Sequence, residues 1–233
     1  MAPPAQRIKL NRKALREPDE FQTLTNQAAA WAQANRPLLV ASGLAVVAIA
    51  AAIGGVSWYR GRQSAAAAIR FQTAYGDFQA SRWAEAADAF SGMQRDYAGT
   101  GYGRLAVLYQ GHALARKPDP AAAATAYGEF LASSPKEDFL RQEALVGLAR
   151  AREASGDTAG AREAYEQAAA IDGPFRSDAR LSLARLLEVD GKSDQARELY
   201  QAILKDSPSA SVRAVVEAKL PADVVASAGG ESR

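Results

Sequence analysis

Hydrophobic and polar positions change period twice along the chain. Before residue 36 the apolar positions are sparse, and Phe21, Leu24, Ala28 and Trp31 fall on one helical face. Pro18 followed by Asp19 and Glu20 has the character of a helix start, with proline early and acids in the first turn. A short amphipathic helix is expected there, lying on a membrane surface or docked on a partner. Residues 1–16 read as a basic arm without fixed structure. Pro37 to Tyr59 is then an uncharged run of 23 residues between Arg36 and Arg60. As a helix it measures about 34 Å, enough to cross a hydrocarbon core about 30 Å thick. Trp31 precedes the run and Trp58 and Tyr59 close it, where interfacial aromatics belong. A buried core helix is the competing reading, but one of this length rarely lacks a polar stripe. A cleaved signal peptide fits poorly, because the run exceeds the usual apolar segment of about 7–15 residues. The pattern predicts an uncleaved signal anchor. Within it, Ala50/Gly54 and Ala51/Gly55 are small-residue pairs of the kind that pack helices together in membranes.

From residue 60 onward the pattern is helical and repeats itself. The segment QEALVGLARAREASGDTAGAREAYEQAAAIDGP covers 142–174, and SDARLSLARLLEVDGKSDQARELYQAILKDSP covers 177–208. Gly156 and Gly191 each follow a helical run and precede an alanine followed four positions later by an aromatic residue: Ala161 with Tyr165, Ala196 with Tyr200. Pro174 and Pro208 close the two units. Two looser copies lie upstream, around 104–135 with Ala123, Tyr127 and Pro135, and around 67–98 with Ala86 and Phe90. Pro118 and Pro120 replace the glycine turn in the first of these, and Ser81–Arg82 replaces it in the second. Four units are enough to bury a continuous core by stacking.

This pattern resembles the tetratricopeptide repeat. The resemblance implies that Leu148–Ala149 and Leu183–Ala184 sit where two helices cross, and that Ala161 and Ala196 admit the second helix. Tyr165 and Tyr200 then fill the gap to the next repeat, and Gly156 and Gly191 take the left-handed cap conformation. Arg152 departs from the family pattern, standing where an aromatic is usual. Ser209–Leu220 is expected to form a capping helix with Val212, Val215, Val216 and Leu220 on its apolar face. The expected fold is all-α: one N-terminal transmembrane helix followed by a tetratricopeptide-like α-solenoid of about four helix pairs. The corresponding segments are a basic cytoplasmic tail (1–36), the span (37–59), the repeat domain (60–220) and a loose tail (221–233).

Composition supports the helical reading. Alanine accounts for 54 residues, against 24 for Val, Ile and Thr together, which disfavours a large sheet. Lys and Arg number 28 and Asp and Glu 26, a net charge of +2, which argues against nucleic-acid binding by charge. The charge is uneven: residues 1–36 carry +3 and residues 60–233 carry −1. The basic tail favours a cytoplasmic N-terminus and a C-terminal domain across the membrane, with Arg60 and Arg62 pulling the other way.

Candidate chemistry is thin. The chain has no Cys, which excludes disulfides, thiolate metal sites and cysteine nucleophiles. Its one histidine, His112, has no evident ligand partners and reads as a helix-surface or groove residue. Gly99, Gly101 and Gly103 form a GTGYG string without the strand before or the Lys-Ser/Thr after that a phosphate loop needs, so it reads as a connector. Glu137 and Asp138 sit at a predicted helix start. No nucleophile–base pair stands out, and neither an enzyme, a cofactor, a metal nor a small-molecule substrate is expected.

The layout, together with NRPLLVASGLAVVAIAAAIGGVSWYRGRQSAAAAIRFQTAYGDF (35–78) and TGYGRLAVL (100–108), resembles the YfgM-like family of bacterial inner-membrane proteins, ancillary subunits of the SecYEG translocon. The resemblance implies a single-pass protein with a periplasmic repeat domain. Its expected partners are translocon subunits, periplasmic chaperones or exported chains, with residues 37–59 in the bilayer. A scaffold of another envelope machine, serving cell division, secretion or outer-membrane assembly, is the alternative. First helices line the concave face of such an array. In this register the partner groove gathers Phe71, Tyr75 and Phe78, then Leu105, Leu108 and His112, then Arg150, Leu181 and Arg185. Phe71, Tyr75 and Phe78 also have the spacing of a core stripe, and both readings stay open.

Overall fold

The computed structural model describes residues 20–133, 135–206, 209–222 and 224–225. The expected basic arm, the Pro18–Asp19 helix start, the side chain of Phe21, Pro208 and most of the C-terminal tail lie outside the described residues. Among the described residues there are ten α-helices and no strand. They are α1 (Glu20–Ala34), α2 (Arg36–Gln79), α3 (Trp83–Tyr97), α4 (Gly101–Ala115) and α5 (Pro120–Ala132), followed by α6 (Asp138–Ala154), α7 (Thr158–Ala170), α8 (Arg176–Val189), α9 (Ser193–Lys205) and α10 (Ala210–Glu217). The chain divides into two units, Met1–Tyr59 and Arg60–Arg233.

In the first unit, Asn35 joins α1 to α2 and its side-chain amide donates to the carbonyl of Trp31 at 2.8 Å. The apolar side chains of α2 from Leu38 to Tyr59 are exposed. An 18-residue window of this helix has a mean hydropathy of 2.3 with none of it buried. It is long and apolar enough to cross a membrane.

The second unit is a solenoid of helix pairs. The end of α2 pairs with α3, α4 with α5, α6 with α7 and α8 with α9, and each helix from α3 onward also packs on the next. The alanine–aromatic pairs explain the stacking. Ala86, Phe90, Ala123, Tyr127, Ala161, Tyr165, Ala196 and Tyr200 are all at most 2% exposed. The small residue lets the helices approach, and the ring fills the space between successive pairs. Arg152, in place of an aromatic, joins its helix to the next by donating to the carbonyl of Gly160 at 3.0 Å.

The turns within pairs show why glycine is used. At Gly156 (φ +85°) the N–H bonds back to Glu153 O at 3.0 Å, and the following Asp157 N–H reaches Arg152 O at 2.9 Å. Gly191 (φ +75°) repeats this with Glu188 at 3.0 Å and Leu187 at 2.8 Å. Ser81 makes the same turn in the first pair at φ 59°, with bonds from Ser81 N to Phe78 O and Arg82 N to Asp77 O. A left-handed non-glycine residue costs about 1–2 kcal/mol. Ser81→Gly is therefore expected to raise stability by about 1 kcal/mol, read as a higher urea midpoint at unchanged slope. In the second pair Pro118 offers no N–H for this motif, and the turn ends instead on Asp119, which caps α5 by accepting from Ala122 N at 3.1 Å.

Two expectations are corrected. The GTGYG string is not all connector: Thr100 caps α4, accepting from Gly103 N at 2.9 Å, so Gly101 and Gly103 form its first turn. Gly103 lies so close to the Tyr97 carbonyl that a side chain there has no room. The capping helix is also shorter than expected. Val216 and Leu220 are buried, but Val215 is 48% exposed, because α10 ends at Glu217 and turns only one narrow face to the core.

Candidate functional site

A cleft of about 530 Å³ opens in the repeat unit. Its walls come from α2, α4 and α6, the first helices of three successive pairs, and Arg116 just after α4, Pro120 and Tyr127 of α5, and Phe175 complete the lining.

One wall is aromatic. Tyr109 of α4 meets Phe71, Tyr75 and Phe78 of α2 edge-on, at centroid distances of 5.3, 5.4 and 5.9 Å. Such edge-to-face contacts place positive ring edges on negative faces. Phe78 also abuts Trp83 at 5.0 Å, and the Arg116 guanidinium lies 5.7 Å from the Trp83 ring centre, a cation–π distance.

The other side is polar. His112 Nδ1 lies 2.8 Å from the Tyr127 hydroxyl, and His112 Nε2 lies 3.2 Å from Glu143 Oε1. Burial, then the Glu143 charge, pushes the Tyr127 phenol well above its ordinary range. Tyr127 therefore keeps its proton, and its hydroxyl and His112 Nδ1 share one hydrogen bond whose direction is set by the imidazole tautomer. Nε2 and the carboxylate are close enough for attraction without the alignment of a hydrogen bond. Two glycines hold Tyr127 in place. A Cβ on Gly111 would come within 2.8 Å of its ring and one on Gly147 within 2.5 Å, so the ring lies against bare backbone of α4 and α6.

Four of the nine expected groove residues, Tyr75, Phe78, His112 and Arg150, line this cleft. Phe71 stacks beside Tyr75 at 6.2 Å and also packs on the buried Phe90 at 5.4 Å. The α2 aromatic stripe is thus half-buried against the core along one edge, and Tyr75 and Phe78 reach the cleft along the other. Leu108 is fully buried in the core, and Leu105 and Leu181 are half-buried against it. Arg185 reaches back to both carboxylate oxygens of Glu153, at 2.5 and 2.7 Å. The sequence register misses Tyr109, Arg116, Tyr127, Glu143 and Gly147. On α4 the stripe facing the cleft is Tyr109, His112 and Arg116, one helical row beside the expected Leu105, Leu108 and His112. On α6 it is Glu143, Gly147 and Arg150, a spacing of four and three that was legible once Arg150 was chosen. No group of three or more His, Cys, Asp or Glu that could hold a metal occurs among the described residues.

Residues 29–226 match the model of the tetratricopeptide repeat-like domain family. No curated protein matches the chain. Among solved structures, it is similar to the nearly identical TPR-like repeats of a protein from Podosopora anserina assigned as a kinesin light chain. A single-substitution variant of those repeats is 20% identical, with 70% of this chain and 86% of that one covered and a TM-score of 0.53. The unsubstituted repeats are 19% identical over the same shares, with a TM-score of 0.48. The first of these likenesses concerns the fold alone. With the family match spanning 198 residues from 29 to 226, and four buried alanine–aromatic pairs repeating along it, the chain belongs to the tetratricopeptide repeat-like domain family.

Proposed function

We propose that this chain is a membrane-anchored interaction module of the bacterial inner membrane that assists protein export at the SecYEG translocon. Repeats of this kind indicate a protein–protein interaction module. One observation carries the finer reading: an exposed apolar helix and an aromatic, basic cleft occur in one chain, and a single family match spans both. In this reading residues 1–36 are cytoplasmic, 37–59 cross the bilayer, 60–220 stand in the periplasm and 221–233 trail behind. The +3 tail before the span supports that orientation. Translocon subunits, periplasmic chaperones or exported chains are the partners, and Tyr75, Phe78, His112 and Arg150 are the proposed contact surface.

Two measurements test it. A C-terminal alkaline phosphatase fusion should be active and the matching green fluorescent fusion dark, and the reverse overturns the orientation. Affinity purification of the full chain from detergent-solubilised membranes should recover translocon subunits or exported chains. Recovery of division or outer-membrane assembly proteins instead moves the protein to a scaffold of another envelope machine.

A further inference from the structure

The charges around the cleft are not balanced. Arg116 and Arg150 both line it, both are exposed, and neither has a carboxylate partner among the described residues. Other arginines of the unit are paired. Arg152 pairs with Asp157, Arg162 with Asp190, Arg180 with Asp206 and Arg185 with Glu153. Glu143, the carboxylate in the lining, faces His112. Two guanidiniums thus stand beside the rings of Tyr75, Phe78 and Tyr109, against the single carboxylate of Glu143 in the lining.

We infer that the cleft binds a short acidic segment of a protein partner, with aromatic or branched apolar side chains against the rings and acidic side chains at Arg116 and Arg150. The inference rests on the interaction-module reading above and names the chemistry of the partner. Arg forks recognise carboxylates with two parallel hydrogen bonds. Arg116 caps the end of α4 and Arg150 lies on α6, successive first helices whose axes in packed arrays lie about 8–10 Å apart. An extended segment advances about 3.3 Å per residue and alternates its side chains between two faces, so acidic side chains two positions apart share a face at a spacing of about 7 Å, within reach of two long arginine side chains, and the residues between them face the other way. A chain terminus supplies only one carboxylate, which favours acidic side chains as the source.

The test uses the full chain in detergent and a fluorescent, C-terminally amidated twelve-residue peptide with two Asp–Phe pairs two positions apart (Asp-Phe-Asp-Phe) in a Gly/Ser background. Saturable binding is expected, and exchanging both Asp for Asn should weaken it by roughly tenfold or more, as should Arg116→Gln with Arg150→Gln. Both arginines are exposed, so the variant should melt like the parent, and Phe78→Ala should weaken binding without removing its salt dependence. Equal binding of the Asp and Asn peptides overturns the inference. So does undiminished binding by the double arginine variant, or preference for a neutral peptide with a free C-terminal carboxylate. The same variant in the membrane purification separates the two readings. Partners still recovered, with no acidic-peptide preference, leave the module reading standing and sink the acidic segment.

Discussion

Replacing Gln142 with Leu should lower the stability of the repeat domain by about 2–4 kcal/mol, a large effect for a near-isosteric change to an apolar residue. Gln142 is fully buried near the start of α6. Its amide nitrogen donates to the carbonyls of Ala168 at 3.0 Å and Ile171 at 2.9 Å, and its oxygen accepts from Phe175 N at 3.0 Å. The side chain thereby satisfies the end of α7 and the entry to α8, where helix termini leave backbone groups without intrahelical partners. Leucine fills the space but strands the Phe175 N–H, at about 1–3 kcal/mol, and removes one of two donors from each carbonyl, leaving Ala168 O with Ile171 N at 3.3 Å and Ile171 O with Arg176 Nε at 3.2 Å. Gly173 belongs to the same device, since a Cβ there would stand 2.5 Å from Gln142 Oε1. Urea unfolding followed by circular dichroism measures the loss. A change under about 1 kcal/mol would mean that water satisfies the freed groups.

The second large effect concerns Tyr127. Tyr127→Ala should cost about 3–5 kcal/mol by opening a cavity between α4, α5 and α6. Gly147→Ala should cost about 1–3 kcal/mol by overpacking, because its Cβ would meet the ring. In the Tyr127→Ala background the same Gly147→Ala change should become nearly neutral or stabilising, since the ring it struck is gone. A double-mutant cycle reads this as a coupling of about 1–3 kcal/mol. Additive losses would mean that the ring and the α6 backbone are not in the contact described. Gly147→Ala should also disturb the cleft, because displacing the ring breaks its hydrogen bond to His112.

Much of the fold was legible because it follows from short-range rules. An alanine with an aromatic four positions later places one small and one large group on the same helical face, and four such pairs at near-constant spacing require stacking. Gly156 and Gly191 were readable because a left-handed turn excludes most other residues. The cleft was legible only in part. A helical stripe is ambiguous by one row, about 100° of rotation per residue, and the leucines of α4 hid the row that carries Tyr109 and Arg116. Gln142 looked like any polar residue at a helix start, because its three partners lie 26 to 33 positions away. The turn at Ser81–Arg82 was readable from its place in the repeat, but its left-handed conformation was not, because it is enforced by the packing of α2 and α3 rather than by serine's own preference.

The residue order alone determined the helices, their pairing and the apolar segment long enough to span a membrane, since periodicity, capping and hydropathy act between residues a few positions apart. Tertiary structure decided which side chains share a space. Arg150 is left without a carboxylate while Arg185 is held by Glu153, and nothing in the local sequence of either distinguishes them. The difference arises because α6 and α8 lie side by side at Glu153, whereas Arg150 opens onto the cleft. Charge pairing across helices depends on distances that only the stacked solenoid sets.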